Sequence, residues 1–178
     1  MIDFDFLVRW LHIVVGVMWI GLLYFFNFVQ VPALAQANAE ASSGGPGPAA
    51  ITKYVAPRAL FWFRYAALVT WLTGAYYLQA APQYSLHGVF TLGLTGDTVN
   101  FQHTLMGFGA WLGTIMLINV WMLIWPNQKR ILGIVQATDA EKAKARRVAF
   151  LASRTNTMLS IPMLMFMQAS NHKLPFFM

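Results

Sequence analysis

The sequence predicts an all-α integral membrane protein, a four-helix bundle built from a duplicated two-helix unit. Three observations lead there. Hydrophobic residues make up 58% of the 178 and charged residues 10%, where a soluble chain carries roughly 25% charged. Four stretches of about 20 nearly uncharged residues recur, the length that crosses a hydrocarbon core about 30 Å thick. The first half of the chain also resembles the second in the order of its polar residues and glycines.

The four spans are expected at about 6–31, 60–81, 101–125 and 148–171, within one transmembrane domain covering 1–178. Met1 to Arg9 carries two aspartates and one arginine and no basic leader, so the first span reads as retained and not as a cleaved signal. The first connection contains the Gly/Pro/Ser-rich tip Ala39 to Pro48, a loop composition. The second, Pro82 to Asn100, has no lysine or arginine. The third, Pro126 to Arg147, holds Lys129, Arg130, Lys142, Lys144, Arg146 and Arg147. Within it, Thr138 or Asp139 is suited to cap a short amphipathic helix, with Glu141 in its first turn.

Loops one and three share one side of the membrane and carry these cations together with Lys53 and Arg58. The positive-inside rule makes that side cytoplasmic and sends both termini outward. The net charge of +6 is thereby read as a topology signal and not as a nucleic-acid surface. His12, His103, His172 and His87 all then lie toward the outer face. Without cysteine the chain has no disulfide, no thiolate metal site and no covalent c-type haem attachment.

The internal repeat, 1–90 against 91–178, rests on several matches at an offset of about 91 residues. His12-Ile-Val-Val-Gly16 matches His103-Thr-Leu-Met-Gly107, and Trp19-Ile-Gly21 matches Trp111-Leu-Gly113. Asn27 matches Asn119, Arg64 matches Arg154, and Gln79-Ala80 matches Gln168-Ala169. Two such units, related by an axis along the membrane normal, would bring His12 and His103 to equal depth, able to face each other.

A histidine within a span usually faces the bundle or a cavity. Each of these two stands one turn above a glycine on the same helix face. That pairing of an imidazole with a bare backbone patch suits a flat macrocycle, and two facing copies suit a haem b with two axial imidazoles. The expected metal ligands are His12 and His103. Gly16 and Gly107 give the ring room, Trp19 and Trp111 wall it, and Arg9 pairs with a propionate. His172 is a third ligand candidate, a propionate partner or a surface residue. Close helix packing in a membrane also produces glycines beside polar residues, and that reading stays open, as does a copper or zinc site on three histidines. Met116, Met122, Met158 and Met163 read as packing residues. Toward the inner face, Asn27, Gln30, Arg64, Asn119, Arg154, Asn156 and Ser160 read as a hydrogen-bonded belt, with a quinone headgroup site as the sharper alternative.

The run from Val8-Arg-Trp-Leu-His12 through Trp19-Ile-Gly-Leu-Leu-Tyr-Phe-Phe-Asn-Phe-Val-Gln-Val-Pro32 resembles the N-terminal membrane region of the bacterial membrane urate oxidases (urate hydroxylases). So do the segments Gln102-His103 through Arg130 and Ser153-Arg-Thr-Asn156 through His172. Longer members carry more spans and a following cytochrome c domain, and this chain would be a short four-helix member without one. The resemblance implies a polytopic, haem-linked redox protein in the bacterial inner membrane, and it extends to His12, His103 and His172. The expected function is therefore one-electron transfer by a b-type cytochrome near the periplasmic face, more an electron-transfer or accessory subunit than a stand-alone enzyme. The lipid bilayer is its solvent. A periplasmic cytochrome c or a larger redox complex is its expected partner, homo- and hetero-oligomers both remain open, and no nucleic acid is involved. The alternatives are a structural or assembly subunit of a respiratory or photosynthetic complex, and a urate or purine oxidase component.

Overall fold

A computed structural model describes residues 4–96 and 98–170. Among these the chain is all α-helical, with no strand. Helix α1 (Phe4–Tyr24) continues through a π-helical stretch, Phe25–Gln30, into α2 (Val31–Ala41). A second π stretch, Ile51–Val55, leads into α3 (Ala56–Ala80). The short α4 (Leu86–Phe90) follows, then α5 (Phe101–Ile118), a third π stretch (Asn119–Ile124), α6 (Trp125–Ile131) and the long α7 (Asp139–Ala169). The continuous rods Phe4–Ala41 and Phe101–Ile131 are long and apolar enough to cross a bilayer. Helices α3 and α7 are comparable in length, but α3 carries Arg58 and Arg64 and α7 begins with the charged stretch 139–147.

The π stretches have a common cause. Proline lacks an N–H, and its ring crowds the carbonyl four residues earlier. The crowded carbonyls belong to Phe28 before Pro32, Lys53 before Pro57 and Met122 before Pro126, and each lies inside a π stretch. Widening the helix by one residue relieves the contact without ending the rod. The first and third stretches fall at matching places in the two halves.

The first rod therefore runs ten residues past its expected end, and the loop is confined to the residues between Ala41 and Ile51. The third connection also differs from expectation. The helix capped by Thr138 is not a separate amphipathic piece, because it continues unbroken into the fourth predicted span and through Pro162. Its start is a complete capping box. The Thr138 hydroxyl accepts from the Glu141 N–H at 3.3 Å, and the Glu141 carboxylate accepts from the Thr138 N–H at 2.7 Å.

Helix α1 packs chiefly on α3, and α5 on α7, so each half contributes one antiparallel pair. The main core joins Trp19, Leu23 and Phe26 to Leu60 and Phe63, and Met116 and Val120 to Ala152 and Met163. Small residues at the contacts, among them Ala66, Ala67, Ala149 and Ala152, let the backbones approach.

Around the middle of α7 the core becomes polar. Asn156, fully buried, donates to the Met116 carbonyl at 3.0 Å and accepts from Asn119 at 2.9 Å. Asn27 donates to the Leu23 carbonyl and to Ser153 Oγ. Ser160 spends its one proton on the Thr157 carbonyl, so the Tyr24 hydroxyl donates to Ser160 Oγ at 2.9 Å.

Asn156→Ala strands the Asn119 side-chain amide and removes the side-chain donor to the Met116 carbonyl. It should cost about 1–3 kcal/mol, read as a lowered thermal midpoint in detergent. The Thr138 donors hold the Glu141 carboxyl below its ordinary range. The stability this lends the first turn of α7 is present above the ordinary glutamate pKa and lost as pH falls through the lowered folded-state value. Protection of residues 139–142 against amide exchange, corrected for the intrinsic pH dependence of the rate, should fall with acidification in that window, and Glu141→Gln should flatten the dependence.

Candidate functional site: a cavity beside His12

A cavity of about 650 Å³ lies among α1, α3, α5 and α7. Helix α1 contributes His12, Gly16, Trp19, Gly21 and Tyr24, and α3 contributes Thr70, Trp71, Gly74 and Leu78. Ala110 and Gly113 of α5, Met163 and Met167 of α7, and Phe90 of α4 complete the wall. Side chains placed on Gly21 and Gly113 would meet nothing within 4 Å, so these two glycines, counterparts in the repeat, leave the cavity its width.

His12 is held in one orientation. Its Nδ1 lies 2.8 Å from the Thr70 carbonyl oxygen, with Thr73 Oγ1 a longer neighbour at 3.3 Å. A carbonyl only accepts, so Nδ1 carries the proton and Nε2 keeps its lone pair. Among the described residues Nε2 has no hydrogen-bond partner. A ligating histidine is prepared in the same way, with one ring nitrogen donating to a backbone carbonyl and the other left to bind. Gly74 makes the position possible, because a Cβ there would come within 2.8 Å of the imidazole Cε1. Trp19 is 2% exposed and lines the same cavity, and its Nε1 has no acceptor.

The second histidine is placed differently. His103 begins α5, capped through its own N–H by the Asn100 side chain. Its Nε2 lies 3.2 Å from the Gln83 carbonyl, and its ring packs by Tyr84 and Gly88. Neither His103 nor Gly107 lines the cavity. Gly107 instead admits the Val89 carbonyl, which a Cβ would displace. The expectation that His12 and His103 face each other is thus corrected: α4, unforeseen in the second connection, occupies the face on which His103 and Gly107 lie. Ser85 caps this helix by accepting from the Gly88 N–H.

Trp111 is likewise drawn to α4. It is 44% exposed and donates to the Phe90 carbonyl at 3.1 Å, whereas its counterpart Trp19 is buried. Arg9 is exposed, with its guanidinium 5.7 Å from the Tyr77 ring, and it does not line the cavity. His172 lies outside the described residues. Met163, read from sequence as packing, and Met167 place thioethers on the cavity wall. Their spacing of four on one helix face was a signal available in the sequence. Among the described residues no cluster of three or more His, Asp or Glu is placed to hold a metal ion.

Gly74→Ala should overpack the imidazole at a cost of about 1–3 kcal/mol, seen as a lowered thermal midpoint. Most of that loss should vanish when the same change is made in a His12→Ala background. An equal loss in both backgrounds would show that Gly74 does not serve His12.

The family model described as "Urate oxidase N-terminal" matches the chain over residues 2–92 and 96–177. Neither the curated proteins nor the solved structures yield a match. The matched stretches take in nearly every residue, including both histidine-glycine segments and all the cavity walls, and the chain belongs to the urate oxidase N-terminal family.

Proposed function

We propose that this protein is a four-span membrane haem protein of two duplicated halves, and that it transfers single electrons at the outer side of the bacterial inner membrane. The observation that carries the proposal is His12, whose Nδ1 proton is committed to Thr70 and whose Nε2 is left unpaired in the wall of a glycine-sided apolar cavity.

The membrane reading is supported by the outward surfaces of the long helices. Val17, Met122 and Met158 are 69%, 70% and 73% exposed, and many further large apolar side chains stand beside them, a surface that water does not tolerate as one continuous patch. By the positive-inside rule, the basic residues of the connections at the α2–α3 and α6–α7 end favour a cytoplasmic position for that end. His12 then lies toward the periplasmic end.

The residues present fit a haem b. His12 Nε2 and the thioether of Met163 or Met167 would hold it, and Gly21 and Gly113 leave the cavity wide enough for a flat ring. When bound, such a group would supply reversible one-electron transfer. The chain's own contribution is to fix the imidazole tautomer through Thr70, to exclude water with Trp19, Trp71 and Phe90, and to keep the site close to the outer surface. A periplasmic cytochrome c or a larger redox complex is the partner class that suits this position.

The test is a reduced-minus-oxidised visible spectrum of the protein purified in mild detergent. The wild type should show b-type bands. His12→Ala should abolish them, and His103→Ala should retain them. Bands that survive His12→Ala would overturn the assignment. A colourless protein that co-purifies in fixed ratio with other subunits would replace it with an assembly role, and reduction dependent on added urate would make it an oxidase component.

A further inference from the structure

Away from the cavity, Arg64 of α3 and Lys129 of α6 converge on one indole. The Arg64 guanidinium carbon lies 3.8 Å from the centroid of Trp125, and the Lys129 ammonium lies 5.9 Å from it. The guanidinium also lies 5.0 Å from the Tyr65 ring and 5.4 Å from the Phe61 ring. Both cations are half-buried. Among the described residues neither has a carboxylate partner, the ion pair present being Lys142–Asp139, and neither side chain makes a hydrogen bond.

Two like charges gathered on one ring repel each other, and half-burial deepens the repulsion by removing water. The aromatic faces offset part of this, but they leave the guanidinium's fork of donors unserved. An oxyanion with several acceptor oxygens satisfies both needs, and phosphate matches the guanidinium geometry.

The surroundings choose the source of that phosphate. Trp62, Tyr65, Trp121 and Trp125 collect at this end of the bundle, as aromatic residues do at headgroup depth. Phe61 and Trp62 are exposed beside the cations, offering an apolar surface to an acyl chain. The basic connections assign this end to the cytoplasmic leaflet, where anionic lipids draw cations to the membrane surface.

We infer that Arg64 and Lys129, set on Trp125, bind the phosphate of an anionic phospholipid of the cytoplasmic leaflet. The site is separate from His12 and does not depend on haem.

The experiment measures thermal unfolding of the delipidated full chain in detergent, titrated with phosphatidylglycerol, with phosphatidylcholine or with inorganic phosphate. Phosphatidylglycerol should raise the midpoint of the wild type by several degrees, and the other two should not. Lys129→Gln should weaken the response about tenfold in lipid concentration, and Arg64→Gln with Lys129→Gln should abolish it. Arg58→Gln, whose guanidinium donates instead to the Tyr54 carbonyl, should leave it intact. If the double variant fails to fold, the single Lys129→Gln titration decides. Equal stabilisation by phosphatidylcholine, or an equal loss in Arg58→Gln, would overturn the site. Stabilisation by inorganic phosphate alone would overturn the lipid assignment and leave a soluble-anion site.

Discussion

One face of α7 organises the bundle. Ser153, Asn156 and Ser160 fall three and four residues apart on that face, and each is bonded to a residue of another rod: Asn27, Asn119 and Tyr24. Apolar surface alone is a poor guide to how helices pair, because its burial is non-directional. A buried amide is different, since leaving it unpaired is expensive. The three polar contacts therefore decide which faces of the first and third rods turn inward and at what height. Because Tyr24 and Trp19 belong to the same rod, they also set where the cavity lies. The belt is not fully satisfied: Asn27 Oδ1 and Gln30 Oε1 are buried without partners.

Repetition and asymmetry act together in this molecule. The two rods share a proline-induced π stretch, a cavity-facing glycine (Gly21, Gly113) and an asparagine bonded to α7. The environments of the histidines diverge because the connection between the halves is not empty. The turn of helix at Leu86–Phe90 lies against α5, and Gly107 and Gly88 allow it to come close enough to enclose His103. In the first half His12 rests instead on Gly74 and Thr70 of its own partner helix. A duplicated His-x-x-x-Gly pattern thus serves two purposes, one glycine lining open space and the other admitting a carbonyl.

The family to which the chain belongs is described as urate oxidase N-terminal, and its match takes in the helical region described here. The chemistry legible in that region is narrow. It has a single imidazole prepared to bind, thioethers on a neighbouring wall, no carboxylate in the cavity and an indole N–H left over.

The sequence by itself determined the helical class, the approximate places of the long helices and the family. These follow from composition and local periodicity, and lengths of apolar residues and proline positions are one-dimensional quantities. It also identified Asn27, Asn119, Asn156 and Ser160 of the polar belt, since amides within apolar runs have few other uses, but not Ser153 or Tyr24. It counted in Arg64 and Arg154, which rest on aromatic rings instead. Only the tertiary structure decided which of the two histidines meets a cavity, because that depended on a five-residue helix with no apolar run to announce it. The tertiary structure likewise brought Met163 and Met167 to the cavity wall and Lys129 to the ring on which Arg64 rests. Such pairings join residues dozens of positions apart, and their closeness arises from how the helices rotate against one another, which no local pattern encodes.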